Sequence, residues 1–320
     1  MRLSVLSTIV FLFPIIIFVQ SCSSDVRSEL RVLDQVLLDR QSYDSTFERK
    51  ITVAKNLLNG DNSASVYSVY MILAKEYASH CLDSAILYCN KAEDLCTTPA
   101  DEAKRINAKA LLSQVFARGG YFTNSYVELV DIYDFFYSRK ESLPVDLVFP
   151  FIYFDSSLKL IAEDKYALKD NFQLKPFGAS NDYNVDSLIA SLPKTSPSSY
   201  VLRIDKLKAE GRIQEAESLA RTFFDVSLPG TFEYTLSASI YSSFIDGDEK
   251  IFWLAENAKA NVRASVRDYS SLSKLSFMLF ERGQVNRPLK YLARYSIRDA
   301  VDYGGNSCLY PDAFRPICYG

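Results

Sequence analysis

Apolar residues recur along most of this 320-residue chain at intervals of three and four, which is the spacing of one face of an α-helix. Examples of such stripes are Leu30, Leu33 and Leu37 near the start and Leu272, Leu275 and Leu279 near the end. Polar and charged residues fill the positions between them, as on the solvent side of a packed helix. The pattern therefore predicts an all-α fold.

Three glycines divide the last third of the chain into units of equal length. Gly211, Gly247 and Gly283 are each followed and preceded by an apolar-striped segment, and they are spaced 36 residues apart. A repeat of this length with two helices per unit is typical of arrays in which each pair buries its apolar face against the next. We expect an α-α solenoid, a superhelix of antiparallel helix pairs.

The clearest unit runs from Pro197 to Arg221, with Gly211 at its turn. Its second helix carries Ala216 and Ala220, one turn apart, where two closely approaching helices need small side chains. In these features the unit resembles a tetratricopeptide repeat. The match weakens in other units, where Phe252 stands in the place of Ala216, and no unit carries the complete Trp-Leu-Gly-Tyr signature.

Further stretches, such as Asp83 to Tyr88 and Tyr291 to Ala300, resemble the periplasmic sensor half of Bacteroidetes tetratricopeptide-type regulators. Those regulators usually continue into a membrane helix and a cytoplasmic output region. This sequence ends at Gly320 with neither. A free-standing lipidated relative and a truncated copy of a longer regulator both fit the resemblance.

The first 21 residues are typical of a secretory signal peptide, with Arg2 before an apolar run. The junction Val19-Gln20-Ser21-Cys22 resembles a bacterial lipobox, in which the Cys22 thiol accepts a diacylglycerol group. We expect a lipid-anchored protein of the cell envelope. Ser23 after the cysteine favours the outer membrane, and the periplasmic and the outer surface both remain possible faces.

The expected organisation follows from these features. A signal peptide (1–21) and a polar tether (22–28) precede N-terminal helical repeats (29–168), in which 43–58 is the antiparallel partner of the first helix. A weakly patterned, proline-containing join (169–197) leads to C-terminal tetratricopeptide-like repeats (198–303) and a tail (304–320). Within the tail, Cys308 and Cys318 flank a proline, so a disulfide is possible in an oxidising compartment.

Composition and motifs exclude most chemistry. Lys and Arg number 36 against 39 Asp and Glu, so the charge gives no reason to expect a nucleic-acid partner. His80 is the single histidine, which argues against histidine-based triads and most metal sites, and we expect its ring to cap a helix or to be solvated. No phosphate-binding loop or hydrolase motif occurs. We therefore predict no catalytic residues, no metal and no cofactor.

The resemblance also implies a partner-binding groove on the first helix of each pair. In the repeat register its positions are Asp205, Lys208, Tyr234, Tyr241, Phe277 and Phe280. Such grooves commonly receive peptide segments, so the primary expectation is a non-catalytic scaffold or sensor module that binds a protein or peptide partner. The alternative is a glycan-binding lipoprotein that accompanies an outer-membrane importer.

Overall fold

The computed structural model describes residues 26–58, 65–141, 143–163 and 185–293. These ranges contain 14 α-helices and no strand, which confirms the predicted all-α fold. The helices are α1 (26–38), α2 (Arg40–Asn56), α3 (Val66–Tyr77), α4 (Leu82–Asp94), α5 (Glu102–Arg118), α6 (Phe122–Ser138), α7 (Val148–Glu163), α8 (Val185–Ser191), α9 (Pro197–Ala209), α10 (Ile213–Val226), α11 (Phe232–Ser242), α12 (Gly247–Arg263), α13 (Ser270–Glu281) and α14 (Asn286–Lys290).

Successive helices pack as pairs. The most extensive contacts within pairs join α3 to α4, α5 to α6 and α9 to α10, while α4 with α5, α10 with α11 and α12 with α13 link neighbouring pairs. We refer to α2–α7 as the N-terminal array and to α9–α14 as the C-terminal array. Helix α7 joins them, because it packs on α5 and α6 on one side and on α9 and α11 on the other.

The turn glycines adopt the backbone conformation that the sequence pattern requires. Gly120, Gly211 and Gly283 have φ values of 79°, 75° and 78°, in the left-handed region that an L-residue enters only with strain. At Gly211 the amide of Arg212 donates to the carbonyl of Leu207, and the amide of Gly211 donates to Lys208. The same bond pattern occurs at Gly120 and Gly283. This is the Schellman closure, which satisfies the last carbonyls of the helix.

The small positions of the second helices lie where the repeat register predicts them. Ala216 and Ala220 are both fully buried (0% exposed). Ser125 takes the equivalent place after Gly120, is also fully buried, and donates its hydroxyl to the carbonyl of Ser113 at 2.8 Å. A larger side chain at any of these places would separate the two helices of a pair.

Helix α1 packs in a way that the sequence pattern did not predict. Asp39 alone separates it from α2, and one residue is too short a link to reverse the chain into an antiparallel pair. The predicted pairing of α1 with 43–58 is therefore wrong, and α1 already includes 26–28, which were assigned to the tether. Its apolar face packs instead in one cluster with the C-terminal array. That face consists of Leu30, Leu33, Val36 and Leu37, and it contacts the cluster of Ile251, Leu254, Ala258, Leu272, Leu275, Leu279 and Tyr291.

Charged side chains border this apolar contact. Asp34 of α1 accepts hydrogen bonds from Arg287 at 3.0 Å and from the hydroxyl of Tyr291 at 3.0 Å. Glu29 pairs with Lys259, which is almost completely buried. The chain thus closes on itself, with the first described helix docked on the last helices. This closure brings the two arrays face to face.

Candidate ligand-binding cavity

A cavity of about 1120 Å³ opens between the two arrays. Its walls come from α3, from α5, from the start of α7 with the 3₁₀ turn before it, and from the first turns of α9 and α11. These are the first helices of successive pairs, and none of the residues that line the cavity belongs to α4, α6 or α10. The cavity therefore lies on the inner face of the array, which is the face that helical-repeat proteins use for binding.

One part of the wall is apolar and accessible. Ile72 on α3 is 44% exposed and Val145 is 46% exposed, although both are aliphatic. Met71, Phe149 and Phe232 are partly buried beside them. Covering such a surface is favourable by about 25 cal/mol for each Å² removed from water. This wall is suited to an apolar group of a ligand.

Another part of the wall is polar and nearly uncharged. Asn107 on α5 is exposed, and the neighbouring Gln114 is half-buried, with its amide donating to the carbonyl of Ala110 at 3.2 Å. Tyr67 donates its hydroxyl to the carbonyl of Lys104 at 2.7 Å, and burial raises the pKa of Tyr67 to about 12. The phenol is therefore a neutral donor at physiological pH. Amide and hydroxyl groups of this kind fix the orientation of a ligand.

The side of the cavity at the start of α11 is held by contacts between the arrays, which we call the seam. Ser79 donates its hydroxyl to the carbonyl of Gly230 at 2.5 Å and accepts from Arg118 at 3.2 Å. Arg118 also donates to Thr235 at 3.2 Å, and its guanidinium lies over the ring of Phe232 at 5.3 Å. Ser79, Gly230 and Phe232 all line the cavity. The shape of this wall thus depends on the approach of the two arrays.

The residues behind the seam carry buried charge. Arg118 is only 3% exposed, and its Nη2 lies 3.9 Å from Oδ2 of Asp268, which is equally buried. Arg267 donates its backbone amide to the carbonyl of Ser79 at 2.7 Å, and its guanidinium donates to Asp44 at 2.6 Å. Two ion pairs therefore cross between the arrays, and in the Arg118–Asp268 pair both side chains are buried. Breaking either one would leave a charge without its counterion in a region of low polarity.

The cavity itself has no catalytic arrangement. Its charged residues are Lys75, Asp146 and Glu233, which come from three different elements. No group of His, Cys, Asp and Glu able to hold a metal ion occurs in the described parts of the chain. Such a site can bind and orient a molecule.

The predicted groove residues are not brought together as one surface. Tyr234 and Tyr241 are 5% and 3% exposed, because they pack in a ring cluster with Phe224 and Trp253. Burial raises the pKa of Tyr234 to about 12. Neither tyrosine presents a surface to a partner. These rings pack between adjacent helix pairs, and that packing explains their position better than partner binding does.

The other four predicted groove residues are spread over two helices. On α9, Asp205 pairs with Lys159 at 3.1 Å, and Lys208 lies over the ring of Phe244 at 5.5 Å. On α13, Phe277 is half-buried and Phe280 is 46% exposed. None of the four lines the cavity. All four lie on first helices of pairs, as the repeat register predicts, and a role for them in partner binding stays a prediction.

The cavity residues of α3 and α5 were not found from sequence. The register was anchored on Gly211, in the C-terminal array, whereas the cavity walls come mainly from the N-terminal array. A signal was present in the stripe of α3, where Ile72 lies beside the buried Leu73 and is left outside the core. Its meaning depends on the closure of the two arrays, which the pattern does not encode.

The structure describes His80, but not the three cysteines for which a role was predicted. His80 is 5% exposed, stacks on Phe47 with ring centroids 3.9 Å apart, and bonds through Nδ1 to the carbonyl of Ser265 at 2.9 Å. The expectation of a solvated ring is wrong, since the ring is buried between the arrays. Cys22, Cys308 and Cys318 lie outside the described residues, so the lipid anchor and the disulfide stay predictions.

Comparison with known families bears directly on this architecture. A family described as the SusR N-terminal TPR domain matches residues 37–307. The chain belongs to this family. The match covers most of the chain, including both arrays and the cavity, and it confirms the predicted likeness to the sensor half of Bacteroidetes tetratricopeptide-type regulators. It begins within α1, so most of that helix lies outside it.

No curated protein and no solved structure matches the chain. As a SusR N-terminal TPR domain, the chain is a helical-repeat scaffold of a kind that generally mediates protein–protein interaction. Within the described ranges, none of the helices combines the length and the apolar character that a bilayer crossing requires.

Proposed function

We propose that this SusR-type TPR domain is a non-catalytic, lipid-anchored sensor or scaffold module of the bacterial envelope, and that its cavity receives a segment of a protein partner, in a signalling role. The observation that carries the proposal is the cavity on the inner face of the array, with accessible apolar side chains on one wall and neutral hydrogen-bonding groups on another.

The chemistry of the cavity favours a peptide with apolar side chains. Ile72 and Val145 offer aliphatic surface, while Asn107 offers amide groups that match a peptide backbone. Helical-repeat grooves bind extended peptides in this manner, with pockets for side chains and polar contacts to the main chain. The near balance of charge in the cavity argues against a strongly acidic or basic segment.

Position-specific cross-linking tests this proposal. A photoreactive residue replaces Ile72 in the cavity or, as a matched control, Val127, an aliphatic residue of α6 that is 53% exposed outside the cavity. Irradiation of whole envelopes is expected to give one defined protein adduct from position 72 and none from position 127. The adduct should weaken or disappear when Met71→Trp places an indole in the cavity next to position 72. Adducts of equal yield and identity at both positions would refute a binding role for the cavity.

Glycan binding is the second candidate, because partly exposed aromatic rings beside amide and hydroxyl groups also suit sugars. Phe149 and Phe232 are such rings, and Asn107 is such an amide. Calorimetry with a panel of neutral oligosaccharides separates the two candidates. Heat that disappears in the Met71→Trp variant, with no protein adduct at position 72, would favour the glycan.

The lipid anchor is tested separately. The support for it is the lipobox-like sequence ending at Cys22, and two or three acyl chains would hold the protein on a bilayer permanently. Cys22→Ala is expected to move the protein from the membrane fraction to the soluble fraction. Unchanged partition with the membrane would rule out anchoring through this thiol.

A further inference from the structure

We infer that the outward face of α1 is a second membrane contact, which lies on anionic lipid headgroups beside the anchor. The inference rests on the proposed envelope location and adds a defined surface to it. It starts from the distribution of side chains around α1, whose full length from 26 to 38 is described.

The two faces of α1 differ sharply in charge. Both acidic residues of the helix, Glu29 and Asp34, are turned toward the C-terminal array, where they pair with Lys259 and Arg287. Asp34 borders the exposed positions, one turn from Arg31 and Leu38, and the exposed positions themselves contain no acidic residue. They are Arg27, Ser28, Arg31, Val32, Gln35 and Leu38.

The exposed face combines cations with aliphatic surface. Arg27 and Arg31 are one turn apart, and neither forms an ion pair with any of the described residues. Val32 is 41% exposed and Leu38 is 57% exposed, so the same face also presents aliphatic surface. A helix face with both features binds at the boundary between lipid headgroups and acyl chains. Asp39, just beyond the helix, accepts from Gln35 and keeps its negative charge, so the face and its end carry two cations against one anion.

The position of α1 along the chain selects a membrane as the partner. Only Ser23, Ser24 and Asp25 separate Cys22 from the first described residue of α1. Four residue steps span at most roughly 14 Å when fully extended. If Cys22 carries lipid, the start of α1 cannot move farther than this from the headgroups. Because the apolar face of α1 is docked on α12 and α13, its basic face is the one left for the bilayer.

The contact would also orient the whole molecule. Helix α1 is fixed to the C-terminal array by the Leu30 and Leu33 packing and by the Asp34 and Arg287 pair. A membrane under its basic face therefore holds that array beside the bilayer. The protein would then be held at one angle to the membrane, whereas a lipid chain alone would leave it free to tumble.

Vesicle binding by the unlipidated mature chain, with Cys22→Ala, tests the inference apart from the anchor. Co-sedimentation at low salt is expected with vesicles that contain equal parts of phosphatidylglycerol and phosphatidylcholine, and not with phosphatidylcholine alone. Arg27→Gln with Arg31→Gln should lower the partition coefficient by about tenfold or more. Lys194→Gln with Arg221→Gln, two exposed cations elsewhere, changes net charge equally and should have little effect.

Absence of binding to the anionic vesicles, or an equal loss in both double variants, would overturn the inference. A second measurement uses the lipidated protein. A tryptophan replaces Leu38 on α1 or Val127 on α6, in a Trp253→Phe background, and the bilayer contains brominated lipid. Quenching at position 38 alone is expected, and equal quenching or none at either position would contradict the contact. Failure of the anchor itself would show instead as unchanged membrane partition of the Cys22→Ala variant.

Discussion

Ser265 has a backbone conformation that its side chain does not favour. It has a φ of 56° and closes α12 with the same bond pattern that glycine provides elsewhere, the amide of Val266 donating to Asn261. Its hydroxyl is buried without a hydrogen-bond partner among the described residues. A side chain in the left-handed region costs about 1–2 kcal/mol, and a buried polar group without a partner adds to that cost.

Ser265→Gly should therefore raise the free energy of unfolding by about 1 kcal/mol, because it removes both costs while the carbonyl of residue 265 still accepts from His80. Urea denaturation measures the change. Lys140→Gly is the matched variant, since Lys140 also has a φ of 56° but is exposed. It should give a smaller gain. A loss of stability at residue 265 would show that the serine side chain has a structural role.

His80 gives the fold a dependence on pH. Burial lowers the pKa of His80 below its ordinary value of 6.5, although the carbonyl of Ser265 partly opposes this effect. The unfolded chain therefore binds a proton at a higher pH than the folded chain. The contribution of the neutral ring is fully present above about pH 6.5 and falls as pH is lowered through the range below it.

We expect the free energy of unfolding to decrease more steeply from pH 7 to 5.5 in the wild type than in His80→Asn. Asparagine keeps an N–H donor for the carbonyl of Ser265 and removes the titrating group. Denaturation at a series of pH values gives both slopes. Equal slopes would mean that His80 protonates without opposing the fold.

At the scale of the element, α1 is held to the molecule by its apolar face and not by its neighbour in sequence. Leu33 is fully buried against the C-terminal array, whereas Leu38 on the same helix is 57% exposed. Deletion of a buried leucine leaves a cavity and costs more than the transfer free energy of the lost atoms.

Leu33→Ala is expected to lower the free energy of unfolding by about 3 kcal/mol, and Leu38→Ala by less than about 0.5 kcal/mol. Thermal and urea unfolding of both variants provide the comparison. Similar small effects at the two positions would indicate that α1 is not docked on α12 and α13 in solution.

Sequence reasoning identified most elements because their signals are local. The glycine turns and the small residues at Ala216 and Ala220 follow from neighbouring residues.

Such local signals could not predict the docking of α1 or the cavity. A stripe of leucines shows that a helix face is buried but not which distant surface covers it. For Leu30 and Leu33 the covering residues lie more than 200 positions along the chain. The rings of Tyr234 and Tyr241 were misplaced for the same reason, since a wedge between helix pairs and an open groove give the same pattern.

At the scale of the whole molecule, the cavity exists because the two arrays meet at the seam. Arg118→Met would remove the donors to Ser79 and Thr235 and leave Asp268 buried without its nearby cation. Loss of one partner of a buried ion pair costs about 3–5 kcal/mol. We expect a fall of that size in the free energy of unfolding, measured by urea denaturation.

Arg139→Met is the matched control for this variant. Arg139 pairs with Glu102 at 2.6 Å, but its side chain is 40% exposed, and such surface pairs contribute about 0–1 kcal/mol. A cost for Arg118→Met no larger than that of Arg139→Met would argue that the seam does not join the arrays.

Hydrogen exchange at the backbone amide of Arg267 tests the closure most directly. This amide lies in the turn between α12 and α13, and its acceptor is the carbonyl of Ser79 in the other array, at 2.7 Å. If the arrays are closed around the cavity, the amide should exchange as slowly as the helical amides of the core, and Arg118→Met should accelerate it while those helical amides stay protected. Exchange of the Arg267 amide in the wild type at the rate of an exposed loop, with the helices still protected, would contradict the closed arrangement.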